Sequence, residues 1–162
     1  MTAKLSPAIK GLITAILMIA ASLYIYANKN TIDARAQYLV YALYAVGIIW
    51  AITAFARSAE GAGRFRDFFS QGFKCFIVVT LVMVIFTYIF IKTHPEYAEA
   101  EAKATKEYYQ KEGNKLPAEI DDLAAQAKKH YALAYISVSI FGYLIFGTVV
   151  SAITAFVVNR RK

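Results

Sequence analysis

Tyr131–Val158 reads YALAYISVSIFGYLIFGTVVSAITAFVV and carries no charged residue from end to end. A helix crosses the hydrocarbon of a bilayer with about 20 apolar residues, so this run is long enough to span. A buried helix of a soluble bundle would show a polar face every 3.6 residues, and this one has none. Three further uncharged runs stand upstream: Gly11–Ala27, Ala36–Ala56 and Cys75–Ile91. Lys10 and Lys74 lie just outside their runs, where their ammonium groups can snorkel to the headgroups. Composition points the same way: 59% of residues are hydrophobic and 18% charged, against roughly half and a quarter in soluble domains. The expected fold is all-α: one integral membrane four-helix bundle, with spans at about 8–27, 36–56, 70–91 and 131–158.

Lys4 and Lys10 ahead of an apolar stretch also fit the opening of a cleaved signal sequence. That stretch reaches Tyr24 and Tyr26, longer and more aromatic than a signal core, so it reads as a span. Basic residues in short loops set orientation. Lys4, Lys10, Arg57, Arg64, Arg66, Lys74, Arg160, Arg161 and Lys162 fall on one side, and the short connection Asn28–Arg35 opposite holds only Lys29 and Arg35. The long segment Lys92–His130 balances seven lysines with eight carboxylates, and long loops translocate largely regardless of charge. Both termini are therefore expected in the cytoplasm of a bacterial inner membrane, with residues 92–130 in the periplasm. Tyr24, Tyr26, Tyr38, Tyr41, Tyr88, Tyr131 and Tyr135 lie near the outer ends of the spans, as an interfacial aromatic belt would.

Two pieces lie outside the spans. Ala62–Lys74 reads AGRFRDFFSQGFK, with Arg64, Phe65, Arg66, Phe68, Phe69 and Lys74 spaced as a short helix lying in the inner leaflet would space its anchors. Residues 95–130 read as a helical hairpin. Its first arm, Glu96–Glu112, has Glu99–Lys103 and Glu107–Lys111 in the favourable order; Gly113-Asn114 breaks it, and Pro117 opens the second arm. Leu116, Ile120, Leu123, Ala127 and Tyr131 then form one apolar stripe running into the last span. The first arm offers Tyr97, Ala100, Ala104 and Tyr108 to cover it. So thin a cover leaves the stripe as a candidate partner-binding face.

No Asp, Glu, Lys, Arg or His lies in the middle of a span, which counts against ion-coupled transport and against chemistry within the bilayer. Gly47 with Ala51, and Gly147 with Ser151 and Ala155, are small residues at four-residue spacing, the pattern of close helix packing. Ala51–Phe55 (AITAF) recurs as Ala152–Phe156, a short internal echo. His94, His130 and Glu96 match no metal-ligand spacing, Cys75 stands alone, and no nucleophile–base pair or phosphate loop is present. No catalytic residue, metal or cofactor is expected. The net charge of +7 is accounted for by the basic face, without nucleic acid.

The order of several motifs resembles a family of Bacteroidetes membrane proteins grouped as domain of unknown function 4199. They are Lys10-Gly11-Leu12-Ile13 opening the first span, Ala56-Arg57 closing the second, and Phe69-Ser70-Gln71-Gly72-Phe73-Lys74 leading into the third. His94-Pro95-Glu96-Tyr97 then begins the hairpin, and Phe146-Gly147 leads to the basic tail Arg160-Arg161-Lys162. The resemblance implies a four-helix inner-membrane protein and supplies no activity. The functional expectation is a non-enzymatic accessory or structural subunit of an envelope complex, binding membrane lipids and other membrane proteins or copies of itself. The alternative is a small oligomeric transporter or flippase for a lipid or lipid-linked substrate.

Overall fold

In the computed structural model, which describes residues 5–29, 34–58 and 63–161, the described chain is all-α. Five helices follow in order: α1 (Pro7–Lys29), α2 (Ala34–Ala56), α3 (Phe65–Thr93), α4 (Glu96–Glu112) and α5 (Pro117–Arg160). α1, α2, α3 and α5 are long and apolar enough to cross a bilayer, and α4 is the short helix between the third and fourth of these. Lys4, Ala62, Lys162 and the middle of the connection between α1 and α2 lie outside the described residues.

The helix starts follow from local chemistry. Pro7 takes the first position of α1, where its missing N–H costs nothing, and Ser6 Oγ accepts from the Ile9 N–H at 3.3 Å. Asp67 reaches back to the Arg64 N–H at 2.8 Å, and Glu119 to the Leu116 N–H at 3.2 Å. Both are the acidic half of a capping box, three residues into α3 and α5. α4 ends where Gly113 turns left-handed at φ 68° and its N–H bonds the Tyr109 carbonyl at 3.2 Å. α5 then runs 44 residues without a break, about twice what the hydrocarbon requires at 1.5 Å per residue.

The chain forms two compact units, residues 1–83 with 141–162, and residues 84–140. In the first, the core is drawn by small residues. A side chain at Gly11 would begin 2.6 Å from the Cys75 carbonyl of α3, and one at Gly47 would begin 2.8 Å from Thr14 Cβ of α1. One at Gly72 would meet Ser151 Oγ of α5 at 2.6 Å and Ile52 Cδ1 of α2 at 2.8 Å. Such close approach gains dispersion contacts, the main adhesive where lipid is as apolar as the protein. The internal echo is not a structural repeat: Ile52 is fully buried, while its counterpart Ile153 is 59% exposed.

In the second unit α4 lies antiparallel to the start of α5. Lys106 bonds Asp121, and Lys128 bonds Glu99 at 3.2 Å: seven residues back along α4 match seven forward along α5. The half-buried face of α4 is Tyr97, Ala98, Ala102, Thr105 and Tyr109, whereas Ala100, Ala104 and Tyr108 are exposed. This corrects the face expected from sequence, of which Tyr97 alone is covered. Ala98, Ala102 and Thr105 form a seam of small side chains, and turning it inward sets Glu99 and Lys106 together on one flank for the two ion pairs. At the exposed edge the neighbouring Glu112 carboxylate, which favours the protonated phenol, holds Tyr108 above its ordinary pKa.

Candidate functional site

The candidate site is a cavity of about 920 Å³ within the first unit, at the start of α1, the end of α2 and the first turns of α3. Leu5, Ser6 and Lys10 line it from α1 and its approach, Trp50, Phe55 and Ser58 from α2 and the turn after it, and Gln71, Phe73, Lys74 and Ile77 from α3. The walls are chiefly aliphatic and aromatic, with two ammonium groups, one amide and two hydroxyls as polar points. Among the described residues no carboxylate lines it.

Helix periodicity places these groups. On α1, Lys10 shares its face with Gly11, Thr14, Ala15 and Met18, which are all buried. Lys10 is therefore carried inward by the face that packs α1 onto its neighbours. Its side chain does not run out to solvent as a snorkelling lysine does; the residue is 8% exposed and its ammonium sits 5.7 Å from the centre of the Trp50 ring. One turn further, Thr14 Oγ1 donates to the Lys10 carbonyl at 2.8 Å. Lys74 lies on the exposed side of α3, and the neighbouring Cys75 is fully buried.

Deeper in the same unit is a hydroxyl cluster. Tyr44 is fully buried; its hydroxyl donates to the Tyr143 carbonyl at 3.1 Å and lies 3.5 Å from Thr80 Oγ1. Tyr143 and Phe146 flank the Tyr44 ring, and Tyr41 packs on both, at 5.8 and 5.1 Å. Tyr41 is thus part of a packed aromatic cluster. Ser151 Oγ is buried against Gly72 and has no hydrogen-bond partner among the described residues.

The residues singled out from sequence are distributed as follows. Gly47, Ala51, Gly147, Ser151 and Ala155 are all buried in the first unit. Arg64, Phe65, Arg66 and Lys74 are exposed and Phe69 is half-buried. Phe68 is fully buried, with its ring 6.0 Å from that of Phe55, and so is a core residue rather than a membrane anchor. The expected separate helix in the leaflet is also corrected. α3 runs unbroken from Phe65 because Asp67 caps it there and no strong breaker follows. In the hairpin, Leu116 is 67% exposed, Leu123, Ala127 and Tyr131 are half-buried, and Ile120 is only 5% exposed. Ile120 is therefore not free to meet a partner, and Ala124, one turn along, is buried too. Among the described residues no three His, Cys, Asp or Glu side chains gather as a metal site.

Sequence reasoning passed over Trp50, Ser58 and Gln71, and took Lys10 for an ordinary flanking lysine. Trp50 is the chain's single tryptophan, yet nothing in its local pattern announces a cavity. Three helices have to meet before it exists.

An all-α chain with four helices able to cross a bilayer defines a multi-pass membrane protein. The chain belongs to the family described as protein of unknown function DUF4199, whose family model matches residues 10–160. No curated protein and no solved structure matches it.

Proposed function

We propose that this protein is a non-enzymatic accessory subunit of a bacterial inner-membrane complex, held to a neighbouring membrane protein through the outward face of α5. In this reading both termini are cytoplasmic and residues 92–130 periplasmic. The observation that carries it is the uneven cover of the spans. The most apolar window of α5 is 17% buried, against 28–33% for the other three. α5 turns Tyr143, Gly147, Ser151 and Ala155 inward at strict four-residue spacing, while Phe141, Ile145 and Ile153 remain 59–66% exposed. A second helix packed there would gain the dispersion contacts that drive association in lipid. The hairpin contributes less than its sequence promises, because Ile120 and Ala124 are already covered.

The test is purification in native nanodiscs at endogenous expression, followed by mass spectrometry, for the natural chain and a Phe141→Ala/Ile145→Ala/Ile153→Ala variant. A stoichiometric membrane partner, lost in the variant while the protein stays inserted, is the expected result. A lone monomer, or a partner equally retained by the variant, overturns the reading.

The second reading, a carrier of lipid or lipid-linked substrate, is favoured by one observation, the basic and apolar cavity between α1, α2 and α3. Transport of labelled lipid by the reconstituted protein tests it, and unchanged transbilayer rates would dismiss it.

A further inference from the structure

Lys10 is in the first turn of α1, within reach of the headgroup layer, yet it is 8% exposed. Its ammonium has the Trp50 ring for company at 5.7 Å, and among the described residues no carboxylate pairs with it. An ammonium withdrawn from water is costly unless a counter-charge meets it. Asp67, on the same helix as Lys74, is engaged instead with the Arg64 backbone N–H at 2.8 Å. The cavity beside Lys10 holds a second cation, Lys74, with the Gln71 amide as a further donor. Its volume of about 920 Å³ lies within the range of small-ligand sites, about 300–1,000 Å³.

The rest of the lining selects the source of the anion. Trp50 and Phe73 are 38% and 46% exposed, so the cavity is open at the surface, and Ile77 and Val78 continue its wall along α3. A free phosphate would satisfy the lysines and leave these apolar walls unfilled. A lipid supplies both parts. We propose that the cavity is a binding site for an acidic phospholipid, its phosphate received by Lys10 and Lys74 and an acyl chain lying along Phe73, Ile77 and Val78. This goes beyond the subunit reading and holds whether or not the chain has a protein partner.

Trp50 lines the cavity and is the only tryptophan, so tryptophan fluorescence reports on this one residue and the preference between lipids is the readout. The full chain, in mixed micelles, is titrated with phosphatidylglycerol or phosphatidylcholine bearing brominated acyl chains, which quench tryptophan on contact. Stronger quenching by brominated phosphatidylglycerol is expected. Lys10→Gln and Lys74→Gln should each reduce that preference about five-fold, the effect of one basic residue at an anionic surface. Lys10→Arg should retain it, as should Arg160→Gln/Arg161→Gln, which removes two charges elsewhere. Equal quenching by the two lipids overturns the proposal, as does an equal loss in the Arg160/Arg161 variant. Displacement of the brominated lipid by millimolar inorganic phosphate would assign the site to a free anion and overturn it too. Lys74 is exposed, so Lys74→Gln is decisive even where Lys10→Gln does not fold.

Discussion

Replacing Gly147 by alanine adds one methyl group at a crowded crossing of the first unit. Its Cβ would begin 2.5 Å from the Tyr44 hydroxyl and 2.8 Å from Phe76 Cγ. The second contact is with the root of a ring, which cannot swing aside as the tip of a long side chain can. Overpacking of this kind costs about 1–3 kcal/mol. The displaced hydroxyl also loses its 3.1 Å bond to the Tyr143 carbonyl, and hydrogen bonds between helices in lipid are worth about 0.6 kcal/mol, up to about 1.7. Gly147→Ala should therefore destabilise the fold by about 2–5 kcal/mol. Tyr44→Phe alone forfeits the bond and should cost about 0.6–1.7 kcal/mol.

The double variant separates this geometry from a general intolerance of change. Removing the hydroxyl clears the nearest obstacle to the new methyl, although Phe76 remains. Gly147→Ala/Tyr44→Phe should then be about 1 kcal/mol more stable than the sum of the single effects, beyond the roughly 0.5 kcal/mol within which independent sites add. The assay is reversible unfolding in mixed micelles of mild detergent and dodecyl sulfate, followed by far-ultraviolet circular dichroism. Strict additivity would refute the argument that Gly147 is needed because Tyr44 stands over it.

Ser151→Ala should leave stability unchanged or raise it slightly in the same assay, because the buried hydroxyl has no partner among the described residues. Ser151→Leu should destabilise strongly, since Gly72 and Ile52 leave it no room. Gly113→Ala should cost about 1 kcal/mol, as its φ of 68° suits glycine and penalises a Cβ; faster amide exchange at the end of α4 would show it. Lys106→Glu should loosen the hairpin by at most about 1 kcal/mol, the range for exposed pairs, and Asp121→Lys in the same chain should restore its exchange protection. Tyr108 should ionise above its ordinary value in an ultraviolet titration, and Glu112→Gln should bring it back down. Because the folded state holds this proton more tightly, the Tyr108–Glu112 contribution is present below the ordinary tyrosine pKa. It is lost as pH rises through the folded value.

Much of the architecture was legible before any tertiary contact. Charge-free runs of membrane-spanning length require four helices, since only a helix satisfies a single segment's backbone in hydrocarbon. Gly113-Asn114 and Pro117 mark the break between α4 and α5, because caps and breakers act within a few residues of themselves; the start of α3, expected from sequence only at about residue 70, falls at Phe65, where Asp67 caps it. What the sequence left open was rotation and meeting. In lipid an apolar face is as content outward as inward, so hydrophobic periodicity cannot say which side of a span is buried. Phe68 accordingly reads as a membrane anchor and proves to be core, and Ile153 repeats Ile52 in sequence and faces the other way. The hairpin shows the same limit in water. Tyr97, Ala100, Ala104 and Tyr108 keep as good a helical spacing as Ala98, Ala102, Thr105 and Tyr109, and they look the more apolar set because Thr105 carries a hydroxyl. The approach of α5 decides between them. The cavity depends on tertiary structure altogether: Lys10, Trp50 and Lys74 come from three helices, and only their packing withdraws Lys10 from water and gives it a place to hold an anion.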